Sequence, residues 1–210
     1  MTSLRHNSEP AGASVSGIGD PHLDAARAAI LDVGWRRTTL TEVARRAGTS
    51  RMTVYRRWSD MGALLADLMT REWTGLVGDA LPAAPADQPA SERVVDAVVA
   101  VVRALRENDL FVRIVELDPE LLLPYLLQRR GRSQDLVLAL LEEEVRRGQE
   151  AGDVRAGSPA AIARGLLLAA HGFVLSAHTM VDDRVDEDEV DAELAHLVRA
   201  ALRPVPGGAA

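Results

Sequence analysis

The chain has 210 residues, a formal net charge of −7 and 47% hydrophobic residues, while only 3% of its residues are aromatic. It has no cysteine, which excludes a disulfide framework and a thiolate metal site. The length suits one large domain, or a small domain joined to a larger one, with a sizeable aliphatic core.

The N-terminal region is predicted to be a disordered arm followed by a helix. Residues 1–19 are rich in serine and glycine and contain no apolar block, which also argues against a secretion signal. A helix is predicted from Pro21 to Val33, because Asp20 suits its N-cap and Gly34 suits its end. Helical spacing continues along the whole chain, so the sequence predicts an all-α fold.

Three further helices are expected before the middle of the chain. Thr39 is suited to cap a helix from Leu40 to Ala47. Ser50 is suited to cap another from Arg51 to about Trp58. A fourth helix, roughly Asp60 to Trp73, begins at a Ser-Asp pair and carries leucines along one face.

A proline- and alanine-rich linker, "DALPAAPADQPAS" (79–91), precedes a set of longer helices. Ser91 is expected to cap the first of them, and Asp118-Pro119 to open a second that Pro124 kinks or breaks. The remaining predicted helices cover 132–149, 159–181 and 187–202.

Positive charge is concentrated in one short region of this acidic chain. Residues 36–57 contain seven arginines and one acid, whereas residues 76–210 contain 14 arginines and 23 acids. The local charge of +6 predicts a binding site for a polyanion.

The same region has the spacing of a helix-turn-helix. Ala44 allows a close helix crossing, Gly48 allows a turn with positive φ, and Val54 can pack back on the preceding helix. At about 100° per residue, Val54 and Trp58 face inward together, while Met52 and Arg56 lie roughly opposite. A helix that enters the major groove of DNA needs such a polar outer face.

On these features, "TTLTEVARRAGTSRMTVYRRWSDMGALLADLM" (38–69) resembles the DNA-binding domain of the tetracycline-repressor (TetR) family of transcriptional regulators. The resemblance implies a homodimer on a palindromic double-stranded DNA operator. It also implies a C-terminal helical bundle that dimerises and holds a small-molecule pocket. The expected organisation is an arm (1–19), a three-helix DNA-binding domain (20–67), a ligand-binding and dimerisation domain (68–203) and a frayed tail (204–210).

The resemblance also suggests which residues contact DNA. The set comprises Thr39, Thr41, Arg45, Ser50, Arg51, Met52, Thr53, Tyr55, Arg56 and Arg57. Within it, base edges are assigned to Arg51, Met52, Thr53 and Arg56, and phosphates to Thr39, Tyr55 and Arg57. Met61 departs from the family, which usually has a phosphate-contacting lysine there, and Arg36, Arg37 or Arg45 are candidate replacements. Arg45 and Arg46 follow Glu42 at i+3 and i+4, so ion pairing on a solvated face and phosphate contact both stay open.

Two sets of bundle residues are candidates for ligand and partner contacts. The pocket candidates are Trp73, Phe111, Leu122, Tyr125, Leu168, His171, Phe173 and Leu175. The dimer-seam candidates are Ala169, Ala170, Gly172, Ala177, Leu194, Leu197 and Val198. The aliphatic lining suggests an apolar effector with few polar groups.

Other functions find less support in the sequence. His171 and His178 share a helix face with Asp182 nearby, but we interpret them as polar residues lining a cavity or seam rather than a metal site. The acidic stretch 181–193 lacks the glycine and spacing of a calcium loop. We expect no metal, no cofactor and no catalytic activity. The apolar run 165–181 is interpreted as a buried helix of a cytoplasmic protein rather than a membrane span.

The sequence therefore predicts a ligand-responsive repressor. Two alternatives are an architectural DNA-binding dimer that responds to no ligand, and an enzyme that uses the helix-turn-helix for protein contacts. A cavity in the bundle would favour the regulator over the architectural dimer.

Overall fold

The computed structural model describes residues 19–80, 85 and 87–204. Nearly all of the predicted arm, part of the linker and most of the predicted tail lie outside these residues. Every regular element in the described part is a helix, which confirms the all-α prediction. We call residues 19–60 the head and residues 90–204 the bundle.

The head contains three helices, and a fourth joins it to the bundle. Asp20 caps the first helix by accepting hydrogen bonds from the backbone N–H groups of His22 and Leu23, and Gly34 ends it at φ 81°. The helix bounds are α1 (Pro21–Val33), α2 (Leu40–Arg46), α3 (Arg51–Arg57) and α4 (Met61–Ala80).

The caps of the short helices are those that the sequence predicts. The Thr39 hydroxyl accepts from the Glu42 N–H at 3.2 Å, and the Ser50 hydroxyl accepts from the Thr53 N–H at 3.1 Å. Gly48 between the two helices has φ 65°, a conformation that favours glycine. The helix α4 continues seven residues beyond the predicted end at Trp73. It also spans the expected domain boundary between residues 67 and 68 without a break.

The bundle contains six helices in the described residues. They are α5 (Ala90–Glu107), α6 (Asp109–Leu117), α7 (Leu123–Leu127), α8 (Arg132–Ala151), α9 (Pro159–Ser176) and α10 (Glu187–Leu202). Single 3₁₀ turns lie at Trp35–Arg37, Pro119–Leu121 and Ala177–Thr179.

The helices at the start of the bundle differ from the prediction. Ser91 does not cap α5, which begins one residue earlier; its N–H and hydroxyl both donate to Asp153 at 3.0 Å. The helix α6 was not predicted, although Asn108 caps it by accepting from the Phe111 N–H at 3.0 Å. Pro124 lies in the first turn of α7, where its missing N–H costs no helical hydrogen bond.

The prediction that the apolar run forms a buried helix is largely wrong. Residues Pro159–Thr179 are long and apolar enough to cross a membrane by length and composition, and only 28% of that window is buried in the protomer. Ile162, Ala163 and Leu166 are the buried residues of α9. Its exposed residues, which include Gly165, Leu168, Ala169 and Gly172, therefore present small and apolar side chains along one side of the helix at the protein surface.

Contacts between α1, its following turn and α6 fix the head against the bundle. The head core continues through Leu110 and Ile114 of α6. Buried Asp118 accepts from the backbone N–H of Trp35 at 3.2 Å and pairs with Arg36 at 3.2 Å. Movement of α6 would therefore be transmitted to the head.

Candidate DNA-binding surface and ligand cavity

The helix α3 packs on the head through one face and presents the other to solvent. Val54 and Trp58 are fully or almost fully buried, as predicted, in the same core as Val43 and Ala44. Met52, on the opposite face, is 76% exposed. Of the side chains assigned to base edges, Arg51, Met52 and Arg56 are exposed, whereas Thr53 is half-buried and its hydroxyl lies 2.9 Å from that of Ser50.

Trp58 anchors the end of α3 to two other helices. Its indole Nε1–H donates to the Asp67 carboxylate on α4 at 2.8 Å. The His22 ring contacts it edge-on, with ring centroids 5.8 Å apart, and His22 Nε2 lies 3.1 Å from the Thr49 hydroxyl. These contacts hold the turn and α3 in a defined orientation.

The arginines of the head fall into two groups. Arg51 and Arg56 have no acidic partner among the described residues. Arg57, in contrast, pairs with Asp20 at 2.5 Å and lies 4.2 Å over the Trp58 ring. Burial alone would raise the pKa of the Asp20 carboxyl, but hydrogen bonds from Arg57 and from the His22 backbone hold that pKa below its ordinary value.

A single glutamate neutralises part of the basic region. Glu42 accepts from Arg45 at 2.7 Å and from Arg46 at 2.7 Å, and Arg46 also pairs with Asp32. Hydrogen bonds from Arg45 and Arg46 lower the pKa of Glu42 to about 2. In the free protein these arginines therefore form ion pairs on a solvated face.

The position of the missing lysine is occupied by an apolar contact. Met61 packs against the head core, and Asp60 caps α4 by accepting from the Ala63 N–H at 2.8 Å. Of the candidate replacements, Arg36 pairs with Asp118 and Glu120 of the bundle. Arg37 donates only to the Val33 carbonyl among the described residues.

A cavity of about 550 Å³ lies between α4, α5, α8 and α9, with α6 and α7 closing one end. Six of the eight pocket candidates line it: Trp73, Phe111, Leu122, Tyr125, His171 and Leu175. The other walls come from α5 and α8, neither of which supplied a pocket candidate from the sequence. The α8 wall contains both aliphatic and polar side chains, and Gln134 is among the polar ones.

Two pocket candidates are wrong. Leu167, His171 and Val174 face the cavity at helical spacing. Leu168 lies about 100° further round α9 and is 70% exposed. Phe173 lies on the other side of the helix and packs against the bundle core.

The dimer-seam candidates are divided between core and surface. Ala177, Leu194 and Val198 are buried inside the protomer, so they cannot form the apolar stripe of an interface. Ala170 lines the cavity. Ala169, Gly172 and Leu197 stay exposed, and Leu197 is 50% exposed.

The histidine pair also differs from the prediction. The helix α9 ends at Ser176, so His178 belongs to the following 3₁₀ turn and is exposed. The described residues contain no group of three or more histidine and acidic side chains that could hold a metal ion.

A helix-turn-helix with an open polar face, joined to a helical bundle, defines a class of DNA-binding transcriptional regulators. Residues 23–68 match the model of the bacterial regulatory proteins of the tetR family. The HTH-type transcriptional regulator Rv2250c of Mycobacterium tuberculosis is 36% identical over 180 residues, which cover 86% of this chain and 92% of that protein. The chain therefore belongs to the tetR family of bacterial regulatory proteins, and it is a DNA-binding regulator rather than an enzyme.

Solved structures show the same fold. The R. erythropolis transcriptional repressor QsdR, of the TetR family, has a TM-score of 0.62 at 16% identity, and the match covers 86% of this chain and 92% of QsdR. The complex of SmeT with triclosan has a TM-score of 0.56 at 23% identity, with 89% of this chain and 91% of SmeT covered. SmeT is the repressor of the Stenotrophomonas maltophilia multidrug efflux pump SmeDEF.

Proposed function

We propose that this regulator is a cytoplasmic repressor that binds a palindromic operator as a homodimer and releases it when a small, mainly apolar molecule occupies the cavity. The observation that carries the proposal is the combination of the two sites. The helix α3, on which Arg51 and Arg56 have no acidic partner within the described part of the chain, is followed by one continuous helix, α4, that leads to a cavity of about 550 Å³.

The DNA contacts follow from the exposed face of α3. Arg51, Met52, Thr53 and Arg56 are proposed to contact base edges, where a forked guanidinium can bond a guanine. Thr39, Thr41, Ser50, Tyr55 and Arg57 are proposed to contact the phosphates that flank the groove. Arg45 extends this phosphate row, and contact with a phosphate would compete with its pairing to Glu42.

Dimerisation is proposed to use the exposed face of α9 and α10. An exposed helix face that is small and apolar is unfavourable in water, and a second copy would cover it. The small residues Gly165, Ala169 and Gly172 permit close helix approach, and Leu168 and Leu197 supply apolar area.

A substitution on this face tests the dimer. Leu197→Glu would introduce a charge into the seam, so we expect a monomer in sedimentation velocity experiments. Leu117→Glu is the matched control, since Leu117 is 47% exposed and lies on α6, away from this face. A Leu197→Glu protein that sediments with the parent would assign the interface to another surface.

Effector control is proposed to act through α4 and α6. Trp73 on α4 and Phe111 on α6 meet edge-on in the cavity wall, with ring centroids 6.2 Å apart. A ligand that separates these rings would tilt α4 and alter the distance between the two heads. The heads must match successive major grooves, about 34–36 Å apart, or a multiple of this distance.

The function is tested by selecting DNA from a random-sequence pool with the purified protein. We expect an inverted repeat, protected symmetrically in a footprint, whose occupancy falls when a hydrophobic compound binds. Enrichment of no sequence would contradict the operator proposal. Binding that no cavity ligand alters would favour the architectural dimer, but the open cavity supports the ligand-responsive regulator.

A further inference from the structure

The amide of Gln134 has only one possible orientation. Its Oε1 accepts from the backbone N–H of Gly131 at 2.8 Å, and its Nε2 donates to the backbone carbonyl of Tyr125 at 3.3 Å. A backbone N–H can only donate and a carbonyl can only accept. The two backbone groups therefore determine which end of the amide is Oε1 and which is Nε2, and the Nε2 end lies beside His171.

This orientation determines the tautomer of His171. The second N–H of the Gln134 amide lies against His171 Nε2, with 3.3 Å between the two nitrogens. That ring nitrogen must accept, so the imidazole carries its proton on Nδ1. Burial lowers the pKa of His171 below its ordinary value, which favours the neutral ring.

The Nδ1–H group is left as a donor. Among the described residues, Nδ1 has no hydrogen-bond partner, whereas Nε2 has Gln134 as its partner. The Nδ1 nitrogen is also accessible rather than fully buried. In the described residues, the fully buried side-chain nitrogen and oxygen atoms that lack a partner belong to Arg106, Arg113 and Asp153, and His171 is not among them. Because His171 lines the cavity, the free N–H is available to a molecule inside it.

Charged groups in the cavity wall are largely engaged with one another. Arg93 donates to Glu144 at 2.7 Å, Arg147 donates to the same carboxylate at 2.8 Å, and Arg132 pairs with Asp67. Arg129 is exposed and lies 5.3 Å over the Tyr125 ring. The interior beside His171 is formed by aliphatic side chains such as Leu167, so an ion there would be poorly compensated.

We propose that the effector is a neutral, mainly aliphatic molecule with one acceptor oxygen, such as a ketone or ester carbonyl, which accepts a hydrogen bond from His171 Nδ1–H. This inference rests on the proposed function of the cavity. A carboxylate could also accept from this N–H, but its charge would lack a compensating imidazolium, because the amide N–H of Gln134 is directed at the nitrogen that would take the second proton. An ammonium ligand would call for an acceptor, which the outward-facing Nδ1–H is not.

The test compares three probes of equal chain length: 2-decanone, decane and decanoate. Their affinities are measured by displacement of the neutral fluorophore N-phenyl-1-naphthylamine from the full-length protein. We expect 2-decanone to bind roughly 3- to 10-fold more tightly than decane, the factor of one net neutral hydrogen bond, and decanoate to bind more weakly than 2-decanone. Equal affinities for 2-decanone and decane, or preferred binding of decanoate, would overturn the proposal.

Two variants separate the hydrogen bond from general packing. His171→Leu should remove the preference for 2-decanone while retaining decane binding. Gln134→Glu places an anion beside Nε2 and favours the imidazolium, so decanoate should gain affinity relative to 2-decanone. A preference for 2-decanone that persists in His171→Leu would assign the contact to another group.

The tautomer is measured independently of any ligand. The imidazole ¹⁵N signals of His171 are assigned as those that disappear in His171→Leu. In the parent protein their chemical shifts should show a protonated Nδ1 and an unprotonated Nε2. The opposite tautomer would overturn the inference. Operator binding is measured on the same preparations, because its failure would contradict the proposed function, whereas loss of the carbonyl preference with operator binding intact contradicts this inference alone.

Discussion

The head closes its core around Val54 and Trp58, whereas the bundle leaves about 550 Å³ open between its helices. Both regions are helical and both depend on aliphatic packing. The closed core gives α3 one defined position, as a surface that matches base edges requires. Under the proposed function, the open cavity would allow the surrounding helices to repack, and a ligand would select one arrangement.

The two regions also use charge differently. On α3 of the head, Arg51 and Arg56 have no acidic partner among the described residues and stay available to DNA. In the bundle, Asp191 is 2% exposed and pairs with Arg103 at 2.5 Å and Arg106 at 2.6 Å, which fastens α10 to α5. Under the proposed function, arginine therefore serves DNA recognition in one region, while in the other it holds two helices together.

The largest expected effect is on the closed core of the head. Trp58→Ala would remove a buried ring and its hydrogen bond to Asp67, so we expect a loss of about 4 kcal/mol in the free energy of unfolding. Urea denaturation followed by circular dichroism measures it, together with loss of DNA binding. A loss under about 1 kcal/mol would show that the head is less tightly closed than its packing indicates.

The internal ion pairs of the bundle should contribute nearly as much. Asp191→Asn removes the buried carboxylate that Arg103 and Arg106 share and leaves them only exposed acidic partners. We expect a loss of about 3 kcal/mol, since Arg103 is partly solvated. The control is Asp188→Asn, whose side chain is exposed and pairs only with Arg103 in the described residues. Equal unfolding midpoints for the two variants would contradict the role assigned to Asp191.

A smaller effect is expected at the recognition surface, on affinity rather than stability. Arg56→Ala should reduce discrimination against a wrong base by about 1–3 kcal/mol without altering the unfolding midpoint. Tyr55→Phe should instead weaken binding to every sequence alike. The affinities of each variant protein for the selected operator and for its single-base variants measure both effects. Unchanged discrimination in Arg56→Ala would place the base contacts on another face of α3.

A substitution in the cavity wall should affect the coupling between ligand and operator binding more than it affects stability or operator affinity. Trp73→Ala is expected to leave operator binding largely intact but to reduce the coupling between ligand and operator by about 1 kcal/mol. The measurement is operator affinity with and without 2-decanone for both proteins. An equal ligand response in variant and parent would exclude Trp73 as the coupling residue.

The smallest effect concerns the paired arginines of the head. The pKa of Glu42 is lowered from 4.5 to about 2, so its pairing stabilises the fold fully above pH 4.5 and is lost as the pH falls through about 2. Glu42→Gln should therefore flatten the dependence of stability on pH between about pH 4.5 and 2. Near neutrality, the slope of stability against pH should be the same in the variant and the parent. Parallel curves for parent and variant in acid would show that the pair is not maintained in solution.

The sequence by itself determined the local features of the head. Asp20, Thr39 and Ser50 cap the helices that they were expected to cap, and Gly48 adopts the positive φ that the turn needs. The inward position of Val54 and Trp58 follows from helical periodicity alone. These features depend on residues within a few positions of one another, so the linear pattern contains the necessary information.

Only the tertiary structure decided how distant segments meet. Helical spacing shows that α9 and α10 have apolar faces, but not that Leu194 turns into the protomer core while Leu168 turns to the surface. The Asp118–Arg36 junction and the orientation of Gln134 against His171 join residues 82 and 37 positions apart, respectively. An apolar side chain satisfies its burial against any suitable neighbour, so periodicity defines a face but the packed arrangement selects its partner.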